Sequence, residues 1–147
     1  MNIDQKLVSL LAQTKIKALP DHYAIISLPL EERKAAKEAC RHVSAAFFSL
    51  TFSPYEITLV IPLVSWEGIR ERFRRFEIAS PYRVIILDIA LDLEVVGYLA
   101  VISEALAQKG ISVYALSTYL KDVLLVKASD LPAALEVLEK LAMQFRQ

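Results

Sequence analysis

Several residue types are scarce in this sequence, and each scarcity argues against a class of functional site. A single cysteine, Cys40, excludes a disulfide framework and a zinc site built from several thiolates. The three glycines lie far apart, so neither GxGxxG nor GxxxxGKS/T occurs and no dinucleotide or P-loop site is expected. The two histidines, His22 and His42, have no acidic residue at ligand spacing and predict no metal site. We therefore expect no cofactor.

Net charge and long hydrophobic runs are absent as well. The 17 Lys and Arg residues balance the 17 Asp and Glu residues, which differs from the basic excess of nucleic-acid binders. The longest apolar runs, such as 84–87 and 123–126, are far shorter than the ~20 residues that span a bilayer. Polar residues interrupt 1–20, so no secretory signal is indicated. The sequence predicts a cytoplasmic protein with neither nucleic acid nor a membrane as partner.

Apolar residues are abundant, at 55% of the chain, which assures a core and leaves apolar surface for a homodimer. Their spacing predicts alternating helices and strands. In chain order these are a helix over 2–14 capped by Asn2, a strand over 23–28, a helix over 30–43, strands over 47–52 and 57–61, a short helix capped by Ser65, a strand over 82–89, a helix over 95–109, strands over 111–119 and 123–126, and a last helix begun by Ser129 or Asp130.

The order strand–helix–strand–strand–helix occurs twice, which is typical of an internal repeat. Aligning the two halves places Glu56 on Asp122. Extended pieces at 15–19 and 75–78 precede the halves and are expected to supply a fourth strand apiece. The predicted fold is α+β, with two ferredoxin-like βαββαβ halves packed side by side, whose antiparallel sheets carry helices on one face. The predicted domains are an N-terminal helix and short strand over 1–19, a first half over 20–80 and a second half over 81–147.

Catalytic chemistry has little support in the sequence. Cys40 and His42 lie two residues apart on a predicted helix and point in different directions, so they cannot form an ion pair. Cys40 is better interpreted as a small buried hydrophobic residue. Asp88 or Asp92 with His22 is the only conceivable acid–base pair. We therefore expect a protein that is not an enzyme.

The charged run 70–75 contains four arginines and invites a phosphate-binding interpretation. Runs of this kind more commonly form a solvated helix face, and glutamates lie among these arginines. We expect a solvated face with Phe73 turned inward.

One predicted loop has a physical rationale as a binding site. Asp92 follows a strand, and Gly97 falls in the first turns of the predicted helix, where glycine is costly and needs a reason. Close approach of a ligand is one reason, and the free N–H groups of 93–96 would then face an anion such as a carboxylate. Equally, Asp92 caps the helix and Gly97 permits tight packing on the sheet. The local sequence leaves both interpretations open.

Several stretches of the chain, within about residues 20–142, resemble ACT domains, and the second half resembles most closely the short bacterial proteins built from paired ACT halves. The matching stretches are 91–99 (LDLEVVGYL), 110–113 (GISV), 111–119 (ISVYALSTY), Asp122 and 124–127 (LLVK) in the second half, and 47–51 (FFSLT) and 56–60 (EITLV) in the first.

The resemblance implies a non-catalytic regulatory or sensor protein with ACT-like halves. ACT domains commonly bind amino acids at the interface between two ACT units, as in the regulatory domains of aspartate kinases and in the cytosolic arginine sensor of animals. A regulated enzyme is then the implied protein partner. Carried over by position, the residues near the ligand are Asp92, Val96 and Gly97 at the helix start, Ile111, Ser112 and Val113 on the facing strand, and Ser117, Thr118 and Asp122 around the hairpin.

Three residues depart from the family pattern. Many relatives have Ser and Thr where this chain has Glu94 and Val96, and a basic residue in the first half's strand where it has Phe52. Glu94 would repel a ligand carboxylate unless its side chain turns outward. The alternative function is therefore a ligand-free ACT-like module that dimerises or docks on another protein.

Overall fold

The structure, a computed structural model, describes residues 3–146. Its helices and strands are α1 (Gln5–Gln13), β1 (Lys15–Ala18), β2 (Tyr23–Leu28), α2 (Arg33–Cys40), β3 (Ser49–Phe52), β4 (Ile57–Pro62), α3 (Leu63–Ile69), β5 (Glu77–Asp88), α4 (Tyr98–Ala107), β6 (Tyr114–Ser117), β7 (Asp122–Lys127) and α5 (Leu131–Gln144). Pro20–Tyr82 forms one compact unit, the first unit. The described residues up to Leu19 and from Arg83 onward form the second unit.

The first unit has an antiparallel sheet in the order β3–β4–β2–β5, to which β5 contributes its residues up to Tyr82. β2 pairs along its whole length with β4, and on its other side Ser27 lies opposite Glu77 of β5. With α2 and α3 between the strands, the order is βαββαβ, the ferredoxin-like arrangement predicted from the sequence. Its buried core consists of Ala24, Ile26, Leu28, Ala36, Ala39, Cys40, Ile57, Leu59, Ile61, Trp66 and Phe73.

Aromatic packing closes one end of that core. Trp66 is fully buried, stacks on Phe73 with ring centroids 5.6 Å apart, and meets Phe76 edge-on at 5.0 Å. α3 starts at Leu63 directly after β4, because the Leu63 N–H donates to the carbonyl of His22 at 2.9 Å. Ser65 therefore lies inside the first turn of α3, and the prediction that it caps this helix is wrong.

Cys40 and the charged run behave as the sequence predicted. Cys40 is buried on α2, where burial raises the pKa of its thiol, and His42 is exposed beyond the helix. The arginines of the run 70–75 are exposed and Phe73 is buried, as predicted, but the run lies in a 3-10 turn and the segment after it rather than on a helix face. The helix predicted over 30–43 is shorter, since a 3-10 turn over Leu30–Glu32 precedes α2 and α2 ends at Cys40.

The sheet of the second unit takes its outer strand from the N-terminal segment. β5 from Arg83 onward is flanked by β7 and β1, and β6 pairs with β7. β1 runs antiparallel to β5, with Lys15 opposite Asp88 and Ala18 opposite Ile85. Thus β1 completes the second half, and the start of β5 completes the first, which corrects the expectation that 15–19 and 75–78 each serve the half they precede. A four-residue extended piece carries no pattern that selects its partner strand.

The N-terminal helix belongs to the core of the second unit. Asp4 caps α1, since its Oδ1 accepts the N–H of Leu7 at 2.8 Å; the predicted cap Asn2 lies outside the described residues. Residues from α1, β5, α4, β7 and α5 are buried together. The buried members are Leu7, Leu11, Ile85, Leu87, Leu91, Tyr98, Val101, Ile102, Leu106, Ile111, Leu124, Val126, Leu131, Ala134 and Leu138.

The structure and the prediction differ mainly in the residues at which helices and strands begin and end. The strands predicted over 47–52 and 111–119 shrink to β3 and β6, and the last helix begins after a 3-10 turn with Asp130 at its cap position, without a side-chain hydrogen bond. The predicted division at 20–80 and 81–147 stays a prediction. None of the helices between residues 3 and 146 is long and apolar enough to cross a membrane.

Replacing Leu11 with alanine tests the placement of α1. Leu11 is 1% exposed in the core of the second unit, so losing its side chain is expected to lower the free energy of unfolding by about 2–5 kcal/mol. Leu93→Ala is the matched control, because Leu93 is 71% exposed and its loss should change stability by less than about 0.5 kcal/mol. Urea unfolding followed by circular dichroism measures both, and equal effects would contradict this placement.

Candidate functional site

The hairpin between β6 and β7 holds Asp122 next to its turn, as the first residue of β7. The turn is closed by Thr118, whose N–H donates to the carbonyl of Lys121 at 2.8 Å and whose hydroxyl donates to the same oxygen at 3.2 Å. Ser117 and Asp122 are opposite each other in the ladder, and the Ser117 Oγ donates to Asp122 Oδ1 at 2.6 Å. The carboxylate of Asp122 is thereby held in one orientation, with its second oxygen available to another donor.

The loop between β5 and α4 is built around Asp92 and Gly97. Asp92 Oδ1 accepts the N–H of Glu94 at 3.1 Å, and the Asp92 carbonyl accepts the N–H of Val95 at 3.0 Å, which makes a tight turn. Gly97 has φ 91°, a left-handed conformation that side chains disfavour, and α4 starts only after it.

This geometry corrects the helix start that both sequence interpretations assumed, while the approach of a ligand at Gly97 stays a prediction. Asp92 caps a turn within the loop rather than α4, and Gly97 occupies the cap position rather than the helix interior. The N–H groups left free by the helix are therefore those of its first residues, Tyr98 to Ala100, and not those of 93–96. No side chain of the described chain caps them.

A cavity of about 280 Å³ lies between the start of α4 and the tip of the hairpin. It brings together five of the nine residues that the resemblance implied, namely Asp92, Gly97, Ser117, Thr118 and Asp122. The other lining residues are Leu91, Leu93, Val95, Tyr98, Leu99, Ala100, Tyr119, Leu120 and Lys121. That these residues bind a ligand stays a prediction.

The remaining four predicted residues lie elsewhere. Val96 is 85% exposed and does not line the cavity, and neither does the nearby Glu94. Ile111 is buried in the core and Val113 packs against it, so both serve the fold. Ser112 is exposed, outside the cavity, and precedes β6. The strand that would have carried Ile111 to Val113 begins only at Tyr114, because the chain is still leaving the helix after Gly110.

Tyr98 lines this cavity and was not anticipated from the sequence. Its phenol contacts the hydroxyl of Thr14, at the end of α1, with 2.6 Å between the oxygens, and both residues are buried. The Thr14 hydroxyl donates to the carbonyl of Leu10 at 2.8 Å, so Tyr98 is the donor of the shared hydrogen bond. Burial raises the pKa of Tyr98 to about 12, and the charge of Asp122 adds to the rise. The phenol is therefore neutral at physiological pH.

Asp88, which precedes the loop at the end of β5, makes ion pairs that the sequence did not reveal. It accepts ion pairs from Lys17 of β1 at 3.0 Å and from Lys121 of the hairpin at 2.9 Å. Hydrogen bonds from Lys121 and Lys17 lower the pKa of Asp88 from 3.8 to about 2. The pair with Lys121 restrains a charged residue of the cavity wall. Lys17 and Lys121 are more than a hundred residues apart in sequence, which left no local signal for this contact.

The lining of the cavity carries charges of both signs. Its charged side chains are two carboxylates, Asp92 and Asp122, and one ammonium, Lys121, and none of its lining residues is a histidine or cysteine. A bound molecule would meet free N–H donors at one wall and a carboxylate acceptor at the other. In residues 3–146 no group of three or more His, Cys, Asp or Glu side chains is placed to hold a metal ion.

The second half of the chain is similar in sequence to one protein family. Residues 77–140 match the sequence model of the ACT domain. This match confirms the resemblance of the second half to ACT domains. A comparison with curated protein sequences found no match.

Solved structures share the fold at low sequence identity. A Vibrio cholerae protein of unknown function, a possible transport protein, is 20% identical with a TM-score of 0.71 over 92% of this chain and 95% of that one. The ligand-free regulatory subunit of aspartate kinase from Thermus thermophilus is 14% identical with a TM-score of 0.66 over 87% of this chain and 97% of that one. These similarities confirm the α+β fold with two ACT-like halves. ACT domains are regulatory domains that bind small ligands.

Acid titration tests the role of Asp88. Its pKa is lowered in the folded state, so the stabilisation it provides is present above its unfolded pKa of 3.8 and is lost as the pH falls towards about 2. Asp88→Asn is therefore expected to be less stable than the parent protein at neutral pH, and the difference should shrink between about pH 4 and pH 2. Urea midpoints at a series of pH values measure it. A difference that stays constant over this range would contradict the assignment.

A double-mutant cycle tests the contact between Thr14 and Tyr98. Thr14→Val leaves the buried phenol without a partner and is expected to lower the free energy of unfolding by about 1–3 kcal/mol. Adding Tyr98→Phe removes that unpaired group and should recover part of the loss. Strictly additive effects in urea unfolding would show that the two hydroxyls are not coupled.

Proposed function

We propose that this chain is a non-catalytic regulatory or sensor protein that binds a free amino acid in the cavity of its second unit. The observation that carries the proposal is that one cavity presents free N–H groups at the start of α4 and the carboxylate of Asp122. An amino acid has a carboxylate for the first and an ammonium for the second.

The ligand carboxylate is assigned to the N–H groups of Tyr98, Leu99 and Ala100. These residues form the N-terminus of α4, a helix of ten residues, where the helix dipole places a partial positive charge. No side chain of residues 3–146 caps their N–H groups. Glu94 does not oppose this assignment, because it lies outside the lining of the cavity. The apolar lining from Leu91, Val95 and Leu99 would contact the ligand side chain.

The ligand ammonium is assigned to Asp122. Within residues 3–146 its Oδ1 alone accepts a hydrogen bond, from Ser117, so the second oxygen can accept from the ligand. The competing cation on the wall, Lys121, is already paired with Asp88. The carboxylate of Asp92 also lines the cavity and adds to the preference for a cationic group.

A different function is favoured by the apolar residues at the mouth of the cavity. Leu93, Tyr119 and Leu120 are 71%, 76% and 48% exposed, and they also line a shallow neighbouring cavity. An exposed apolar patch of this kind marks an interaction surface. Under this alternative the chain is a ligand-free ACT-like module that dimerises or docks on an enzyme in the cytoplasm.

Thermal unfolding with each of the twenty amino acids separates the two functions. A ligand that binds the native state raises stability by RT ln(1 + [L]/Kd), about 2.7 kcal/mol at a hundredfold excess over Kd. Light scattering of the same samples tests the predicted homodimer, and a mass that changes when ligand is added would support the prediction that the ligand lies at an interface between ACT-like units. Absence of any thermal shift, with a stable dimer, would favour the interaction module.

The variant Asp122→Asn tests the assigned ammonium partner. Losing a charge-assisted hydrogen bond is expected to weaken binding about tenfold to a hundredfold while the fold is retained. Glu104→Gln removes the same charge from the exposed face of α4, outside the cavity, and should leave affinity unchanged. Calorimetric titration with the amino acid that stabilises most measures both.

Unchanged affinity in a well-folded Asp122→Asn protein would overturn this role. Gly97→Val is not a useful test, because φ 91° strains any side chain there and would disturb the start of α4 whether or not a ligand binds.

A further inference from the structure

The cavity of the second unit has a cation in its own wall. Lys121, the last residue of the turn between β6 and β7, lines the cavity together with Asp92 and Asp122. A lysine side chain ends in a compact ammonium on a flexible four-carbon stem, so it can reach different acceptors by changing its rotamers. An ammonium inside the cavity would compete with the positive group of a bound molecule for the same two carboxylates.

Asp88 keeps this ammonium occupied. Lys121 Nζ lies 2.9 Å from Asp88 Oδ1, and Asp88 is not among the residues that line the cavity. In the described part of the chain, Lys121 forms no ion pair with Asp92 or Asp122. The carboxylates of the cavity are therefore not neutralised by the ammonium that is nearest to them in the sequence.

The pair between Asp88 and Lys121 is well supported by its surroundings. Asp88 has a second partner outside the cavity, because Lys17 Nζ lies 3.0 Å from its other oxygen, Oδ2. The side chains of Asp88 and Lys121 are 28% and 37% exposed, so their attraction is screened less than that of a pair on an open surface. Hydrogen bonds from Lys121 and Lys17 lower the pKa of Asp88 to about 2, so Asp88 stays ionised at physiological pH.

We propose that Asp88 is a positioning residue that determines the charge selectivity of this cavity. By holding the ammonium of Lys121, Asp88 leaves the carboxylates of Asp92 and Asp122 free to bind the positive group of a ligand. Without Asp88, Lys121 would occupy these carboxylates itself and act as a built-in inhibitor. The inference rests on the function proposed above, since it concerns how the same cavity binds the ammonium of an amino acid.

Three variants separate this role from a purely structural one. The probes are the twenty free amino acids, titrated calorimetrically into the full chain, and the one that binds the parent protein most tightly is used with the variants. Asp88→Asn frees Lys121 and is expected to weaken binding about fivefold, the factor that corresponds to the stronger ion pairs between exposed side chains. The double variant Asp88→Asn/Lys121→Met lacks the freed ammonium and should recover the parent affinity.

Lys17→Met is the matched control. Lys17 contacts the other oxygen of Asp88 and does not line the cavity, so its loss leaves the pair with Lys121 in place and should leave affinity unchanged. Urea unfolding of the same proteins provides the second readout. Asp88→Asn and the double variant should both stay less stable than the parent, so recovery of affinity without recovery of stability indicates positioning.

A crystal structure of ligand-free Asp88→Asn provides a readout that needs no ligand. Lys121 Nζ is expected to lie within about 4 Å of a carboxylate oxygen of Asp92 or Asp122. An ammonium that points into solvent in this structure would overturn the proposal.

The binding results distinguish failure of this inference from failure of the proposed function. Equal affinity in the parent and in Asp88→Asn, or a double variant as weak as Asp88→Asn, would overturn the positioning role and leave the function intact. Absence of binding of every amino acid to the parent protein would overturn the proposed function, and this inference with it.

Discussion

The second unit depends on the pairing of β1 with the later part of β5. This ladder places Lys15 opposite Asp88 and brings Lys17 within 3.0 Å of the same carboxylate. It also brings the end of α1 next to the start of α4, where Thr14 and Tyr98 share a buried hydrogen bond. Because Asp88 also holds Lys121, one strand pairing fixes both walls of the cavity, the helix start and the hairpin.

Each unit contains a cavity, and the two cavities illustrate how one fold can present different chemistry at equivalent positions. In the second unit, a left-handed glycine ends the loop and exposes the N–H groups of a helix of ten residues. In the first, Pro29 and the acidic Glu31 and Glu32 follow β2, and Arg74 and Arg75, which precede β5, line a cavity together with Glu56. In both, an acidic residue at the hairpin supplies the opposite charge. The fold positions these groups, while a few residues determine what each cavity can bind.

Much of the candidate site could be predicted from local sequence. Five residues of the cavity lining belong to two short loops or their edges, and the resemblance to ACT domains implied that they lie near one ligand. These residues are Asp92, Gly97, Ser117, Thr118 and Asp122. The errors were also local. The predicted helix starts at Val95, whereas α4 starts at Tyr98, so the free N–H groups lie about one turn later than predicted. Hydrophobic periodicity does not reveal that Gly97 has a left-handed backbone conformation.

The sequence by itself determined the α+β class, the repeated order of elements and the apolar faces, because hydrophobic spacing and turn residues act over a few positions. Only the tertiary structure decided that β1 completes the second half, that Asp88 joins Lys17 to Lys121, and that Tyr98 meets Thr14. Each of these contacts joins residues far apart in the chain. Extended pieces and single charged side chains carry no pattern that names a distant partner, so geometry alone selects it.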